Sequence, residues 1–218
     1  MCGRFININE QKKISKIFAI SRTENYAENS YNIAPGQKIN IIHYDSEQRI
    51  IDSVNWGYSY LNSQTNILQS VINSRIETIN TKLLFKDSYL KRKCIILANG
   101  YYEWKFSNNT KIPYYINIPV NEIMCFAGIW RNEIRNGKAI KVCSIITKSA
   151  NSNISFIHNR MPFILSINES MEYLEDKTNA FSKNYSESSI ESDLDFYKVS
   201  KFVNNPNNNS KACIIPLK

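Results

Sequence analysis

The chain has 218 residues, 43% hydrophobic and 21% charged, a globular composition with length for one large domain and a sizeable core and no sign of a fibrous or disordered class. Its 27 Lys and Arg against 19 Asp and Glu leave a formal charge of +8, which favours polyanionic partners because each neutralised phosphate releases condensed counterions. The longest apolar run, residues 123–130, is far short of the roughly 20 residues of a membrane helix, and no hydrophobic signal region opens the chain, so a soluble intracellular protein with no membrane partner is expected.

Ile14, Ile17 and Phe18 keep helical spacing among the charges of residues 11–16 and predict an amphipathic helix. Strands are predicted over residues 38–44 and 49–56, followed by a helix over 81–90 with Leu83, Leu84 and Leu90. Five further strands are predicted over residues 93–98, 101–106, 113–118, 124–130 and 139–147. Asn108-Asn109 and Asn136-Gly137 lie between such runs and read as hairpin turns. Residues 169–174 read as a short helix, and 196–200 and 213–217 as short late strands. The segments around them, 177–192 and 204–209, are polar loops, the second rich in Asn. With no internal repeat and no dividing linker, the expectation is a single α+β domain over residues 1–218, a mainly antiparallel, barrel-like sheet flanked by helices.

The cysteines at 2, 94, 125, 143 and 213 form no C-x-x-C pair, and only His43 and His158 accompany them, so neither a metal nor a cofactor site is expected. Four of the five sit in apolar settings and read as buried reduced thiols. Cys2 differs, because removal of Met1 would place a free α-amino group beside its thiol. Such a 1,2-aminothiol condenses with aldehydes: the amine forms a Schiff base and the thiol closes a thiazolidine ring. An ordinary cysteine following Met is the alternative. Three polar clusters interrupt apolar segments. Asn73-Ser74-Arg75-Ile76-Glu77-Thr78 follows Val71-Ile72 and reads as a site rim, and Glu103 stands between Tyr102 and Trp104 where a carboxylate can act as acid or base. His158-Asn159-Arg160 precedes an apolar strand, whereas His43, among Ile41, Ile42 and Tyr44, reads as structural.

In order along the chain, Met1-Cys2-Gly3-Arg4-Phe5, Asn32-Ile33-Ala34-Pro35-Gly36, Trp56-Gly57-Tyr58, Asn73 to Thr78, Gly100-Tyr101-Tyr102-Glu103-Trp104, Ala127-Gly128-Ile129-Trp130 and His158-Asn159-Arg160-Met161-Pro162 resemble the SRAP family, the SOS response-associated peptidases that process abasic sites. The resemblance implies a protein that senses abasic sites in single-stranded DNA and traps them covalently as a thiazolidine on processed Cys2. Lyase cleavage would be a weak side reaction, the crosslink could reverse, and the peptidase label would refer chiefly to removal of Met1. It implies Asn73 as an orienting amide, Glu103 and His158 as proton carriers, and Arg4, Arg75, Arg160, Asn32, Pro35 and Trp56 as DNA contacts. It further implies a monomer in a bacterial-type cytoplasm, associated with the nucleoid during repair. After the Trp-Gly, family members carry Pro and one or two Trp, where this chain has Tyr58-Ser59-Tyr60; a base-stacking wedge would fall to Tyr58 or Tyr60. Two other functions remain open on the residues alone: an N-terminal-nucleophile amidohydrolase built on Cys2, and a non-catalytic nucleic-acid-binding module built on the +8 charge.

Overall fold

A computed structural model describes residues 2–119, 123–178, 181 and 188–217. The chain runs through β1 (Phe5–Asn7), α1 (Gln11–Ile17), β2 (Arg22–Thr23), β3 (Ser30–Ile33), β4 (Lys38–Asp45) and β5 (Gln48–Trp56). A small hairpin of β6 (Tyr58–Leu61) and β7 (Leu68–Val71) precedes β8 (Asn73–Arg75) and α2 (Leu83–Lys91). Five long strands follow: β9 (Lys93–Ala98), β10 (Gly100–Ser107), β11 (Thr110–Asn117), β12 (Met124–Arg135) and β13 (Lys138–Ser149). The chain ends with β14 (Arg160–Pro162), β15 (Ile164–Leu165), α3 (Ile167–Glu175) and β16 (Asp195–Lys198).

Strands β13, β12, β9, β4 and β5 lie side by side in that order, and β5 returns to β13 through the parallel pairs Asn55↔Val142 and Trp56↔Cys143. These five strands therefore close into a barrel, which leaves no edge between them for a foreign strand. A second sheet, in the order β16-β11-β10-β1-β3, packs its apolar face against the barrel. Phe5 of that sheet meets barrel residues Trp56 and Phe126 edge-on, with ring centroids 5.2 and 5.8 Å apart.

The strand period explains the layering. On β9, Cys94, Ile96 and Ala98 join the cluster shared with Phe5 and Tyr101, while Ile95 and Leu97 join the cluster under the helices, with Ile14 and Phe18, Phe85 and Tyr89, and Tyr173 and Leu174. Every residue of β9 is thus buried, and after Lys93 its sequence reads as an apolar run. The cysteines at 94, 125, 143 and 213 are buried and reduced as expected. His43 is buried as well: its Nδ1 lies 2.9 Å from the Tyr44 carbonyl oxygen, and burial pushes its pKa down.

The predicted helices and long strands form close to their expected bounds. Asn108 and Asn109 take φ of 47° and 56°, and Asn136 and Gly137 take 51° and 72°, the left-handed pair that a two-residue hairpin needs to match strand twist. Helix α3 begins with a capping box in which the Ser166 hydroxyl accepts from the Glu169 N–H and the Glu169 carboxylate accepts from the Ser166 N–H. The strand expected over residues 213–217 does not form. Residues Lys211–Ile214 make a 3-10 turn, and only an isolated bridge pairs Pro216 with Val199, since proline has no N–H to continue a ladder. Part of the polar loop expected over residues 177–192 lies outside the described residues.

Candidate active site

Strand β1 carries the start of the chain into the molecule. Its antiparallel pairs Phe5↔Tyr101 and Ile6↔Gly100 place Cys2 in the core shared by the two sheets, with no exposed surface. Gly100 is required at that crossing, because a Cβ there would stand 2.5 Å from the Tyr115 hydroxyl and ring. Asn73 reaches the same point from β8, which the parallel pair Asn73↔Ile145 fastens to the barrel. The Asn73 Nδ2 donates to the Cys2 carbonyl at 2.9 Å, and its Oδ1 is buried with no hydrogen-bond partner among the described residues. The Cys2 Sγ lies 3.9 Å from the Arg4 carbonyl. Burial first, and the charge of Glu103 second, push the Cys2 thiol well above its ordinary value, so at neutral pH it keeps its proton.

Glu103 projects from β10 on the face it shares with Tyr101, is 5% exposed, and accepts from the Trp104 N–H at 3.2 Å. Strand β1 and the residue before it pair with β10 as far as Tyr102, whose N–H donates to the Arg4 carbonyl at 2.9 Å, so from Glu103 on that side of β10 is open. A cleft of about 600 Å³ lies at this opening, lined by Glu103, Trp104, Phe106, Lys111, His158 and Asn204. The His158 Nδ1 accepts from the Arg160 N–H at 3.0 Å, which in the neutral ring leaves the proton on Nε2. Carboxylate and imidazole therefore border one cavity, and the buried thiol feels the carboxylate's charge. Deeper in, the Tyr101 hydroxyl is fully buried, has no hydrogen-bond partner among the described residues, and lies within the field of both Cys2 and Glu103.

The residues expected to contact DNA divide into three groups. Arg75 is exposed and Pro35 sits exposed on the turn before Gly36. Arg4 and Arg160 already have protein partners. The Arg4 guanidinium donates to Asn32 Oδ1 at 2.8 Å and to the Val203 carbonyl at 2.9 Å, and lies 5.9 Å from the Trp104 ring centroid. Arg160 grips both oxygens of Glu77 and donates to the Thr147 carbonyl at 2.7 Å. Asn32 and Trp56 are each 1% exposed and serve the protein itself. Asn32 donates to the carbonyls of Val203, Asn205 and Asn208, and Trp56 Nε1 donates to the Ile72 carbonyl at 2.9 Å. Of the two tyrosines expected to stack on bases, Tyr58 is fully buried against Phe85 and Arg131, and Tyr60 bonds Gln69 across the hairpin. The tip of that hairpin instead exposes Leu61, Ile67 and Leu68.

The model of the SOS response associated peptidase (SRAP) family matches residues 1–206. The chain belongs to the SRAP family. It is 33% identical to the abasic site processing protein YoqW of Bacillus subtilis over 98% of this chain and 99% of that one, and 28% identical to YedK of Escherichia coli, also named an abasic site processing protein, over 80% and 79%. A crystal structure of a Bacteroides thetaiotaomicron protein superposes with a TM-score of 0.82 at 22% identity, covering 99% of this chain and all of the other, and confirms the fold.

Within this SRAP chain the structure adds residues that sequence reasoning missed. Trp104 is fixed by Arg4 and by its Nε1 bond to Asn204 Oδ1 at 2.9 Å, and Lys111 enters the cleft wall as the register partner of Phe106. Only the alternation of β10 could have hinted at Phe106. Asn204 approaches from the 3-10 turn Lys201–Asn204, a hundred residues along the chain. Asn99 accepts from the Ile8 N–H at 2.7 Å and donates to Asn9 Oδ1 at 2.9 Å; a carboxylate could not make the second bond.

Proposed function

We propose that this chain recognises abasic sites in single-stranded DNA and holds them as a thiazolidine crosslink to Cys2 once Met1 is removed. Met1 itself lies outside the described residues. One observation carries the reading: the second residue of the chain is sealed in the core with its carbonyl gripped by Asn73 and its thiol within the field of Glu103, which with His158 borders a cleft. The SRAP membership and the names of its relatives supply the lesion.

The chemistry follows from the protonation states. The α-amine of processed Cys2, whose usual pKa is about 8, is partly neutral near pH 7 and serves as the first nucleophile. The amine adds to the C1′ aldehyde of the ring-opened sugar, and the resulting carbinolamine loses water to give a Schiff base. The thiol then adds to the imine carbon, its proton passes to the imine nitrogen, and the five-membered ring closes. Overall, aldehyde and aminothiol give thiazolidine and one water. Glu103 and His158 Nε2 are placed to carry protons in ring opening and dehydration. Asn73 fixes the main chain that bears the amine. The Schiff base acidifies C2′, so slow strand cleavage is accessible until sulfur closes the ring.

The test is a denaturing gel of processed protein with single-stranded oligonucleotides that contain or lack an abasic site. A slow-migrating adduct specific to the abasic strand is expected, absent in Cys2→Ala and absent when Met1 is retained. No adduct with the wild-type chain, or a stable adduct with Met1 retained, overturns the mechanism. Amide hydrolysis without any adduct would favour the amidohydrolase instead.

A further inference from the structure

One polar group in the core has no part in the chemistry so far. Tyr101 pairs with Phe5 across β1 and β10, and its ring meets Phe126 edge-on with centroids 6.1 Å apart. It has no exposed surface and belongs to the same core cluster as Cys2. Glu103, two residues on, lies on the same face of β10, its side chain springing from a point about 6.8 Å away. Tyr102 between them turns to the opposite face, where its hydroxyl donates to the Tyr31 carbonyl at 2.8 Å, and the neighbouring Tyr115 hydroxyl donates to the Asn99 carbonyl at 3.1 Å. The Tyr101 hydroxyl has no such partner among the described residues. A buried hydroxyl left unbonded bears its full desolvation cost, and a phenylalanine would fill the same volume without it.

Ring closure on Cys2 calls for a group of this kind. Burial, and then the charge of Glu103, keep the Cys2 thiol protonated. Burial, followed by the fields of Cys2 and Glu103, raises the Tyr101 pKa well above its ordinary value. Both groups are therefore neutral at pH 7. Closing the ring takes a proton from sulfur and adds one to nitrogen, and separating those charges in a sealed core is costly. A neutral hydroxyl avoids the separation, because it accepts one proton while it donates another.

We propose that the Tyr101 hydroxyl is a proton relay for thiazolidine closure, taking the thiol proton of Cys2 as it hands its own to the imine nitrogen. The sulfur–carbon bond forms while the carbon–nitrogen π pair withdraws onto nitrogen, and the hydroxyl is regenerated, so the tyrosine is neither consumed nor ionised. The inference rests on the thiazolidine reading of Cys2 and deepens it, by naming the group that decides between ring closure and strand cleavage from the Schiff base.

Tyr101→Phe keeps the ring and deletes only the hydroxyl. The processed full chain is mixed with a single-stranded oligonucleotide carrying a true abasic site, and timed samples are quenched with and without borohydride before a denaturing gel. Borohydride fixes the Schiff base, so the borohydride-dependent band reports the imine, the band that needs none reports the thiazolidine, and the short fragment reports cleavage. In Tyr101→Phe the thiazolidine is expected to form about tenfold or more slowly. Imine and cleaved strand should rise in its place, the pattern that Cys2→Ala, with an amine and no thiol, shows in full. A wild-type partition among the three products in Tyr101→Phe, at unchanged Tm, overturns the relay and leaves the crosslink standing. A clear fall in Tm also overturns it, since the hydroxyl would then be bonded within the resting fold. A wild-type chain with no band under either quench sinks the crosslink and the relay together.

Discussion

Asn73→Ala removes the amide that grips the Cys2 main chain. The 2.9 Å bond lies out of water, between a side chain 8% exposed and a residue fully buried. Leaving a buried acceptor without its donor costs about 1–3 kcal/mol. Part of that is returned in folding stability, because the Asn73 Oδ1 has no partner and its own desolvation cost disappears with it. The net loss of stability is therefore expected near 1 kcal/mol, a fall of about 2–4 °C in Tm. Crosslinking has no such compensation, since the amine and thiol of Cys2 must meet one carbon in sequence. If the bond's free energy is used to hold that geometry, the rate falls about 10- to 100-fold. The assay is single-turnover adduct formation at saturating abasic strand, resolved on a denaturing gel. Asn73→Asp keeps the volume but cannot donate to the carbonyl, and should be at least as slow. A rate for Asn73→Ala within about twofold of wild type, with Tm as expected, would refute the orienting role.

Tyr101→Phe deletes a buried hydroxyl that has no partner, so Tm should hold or rise by a few degrees; a clear fall would show that the hydroxyl is bonded in solution. Arg75→Ala, at an exposed arginine, should flatten the salt dependence of single-strand binding by about 0.7 in the log–log slope if Arg75 meets one phosphate, and an unchanged slope excludes that contact. Asp176 is pulled up by burial, but bonds from Lys93, Phe181 and Thr178 outweigh this and bring its pKa from 3.8 to about 2. A depressed carboxyl stabilises the fold above its unfolded value and loses that contribution as pH falls, so acid melting should show a limb between about pH 4 and pH 2. Asp176→Asn should lack this limb and lose about 3 kcal/mol at neutral pH by leaving the Lys93 ammonium, 5% exposed, without its ion pair. An identical acid profile in the variant would argue against the assignment.

Several elements were legible because their causes are local. Positive φ at Asn108, Asn109, Asn136 and Gly137 is a property of those residue types, and it fixed two hairpins. The apolar run Cys94 to Ala98 marked β9 as a strand, and the structure buries it on both faces. Other elements escaped because they lack a strong local pattern. The hairpin of β6 and β7 is mostly exposed, and the far half of β12 is mostly polar beyond Trp130 yet stays paired with the start of β13 as a ribbon. The site shows the same division. Cys2, Asn73, Glu103 and His158 stood out as polar or nucleophilic groups in apolar surroundings. The family resemblance placed Asn32 and Trp56 on a DNA surface, whereas the fold uses them as internal braces.

The sequence by itself determined which segments become helices, strands and turns, and, through the ordered motifs, the family to which the chain belongs. Tertiary structure alone decided that β5 returns to β13 to close the barrel, since that pairing joins residues almost ninety positions apart. It also decided that Glu77 neutralises Arg160 while Arg75 stays exposed, and that β10 opens beside Glu103 to make a cleft. Periodicity states which face of a strand is apolar. What that face meets is settled only when distant segments compete for the same surface, because burial and pairing are properties of the assembled chain.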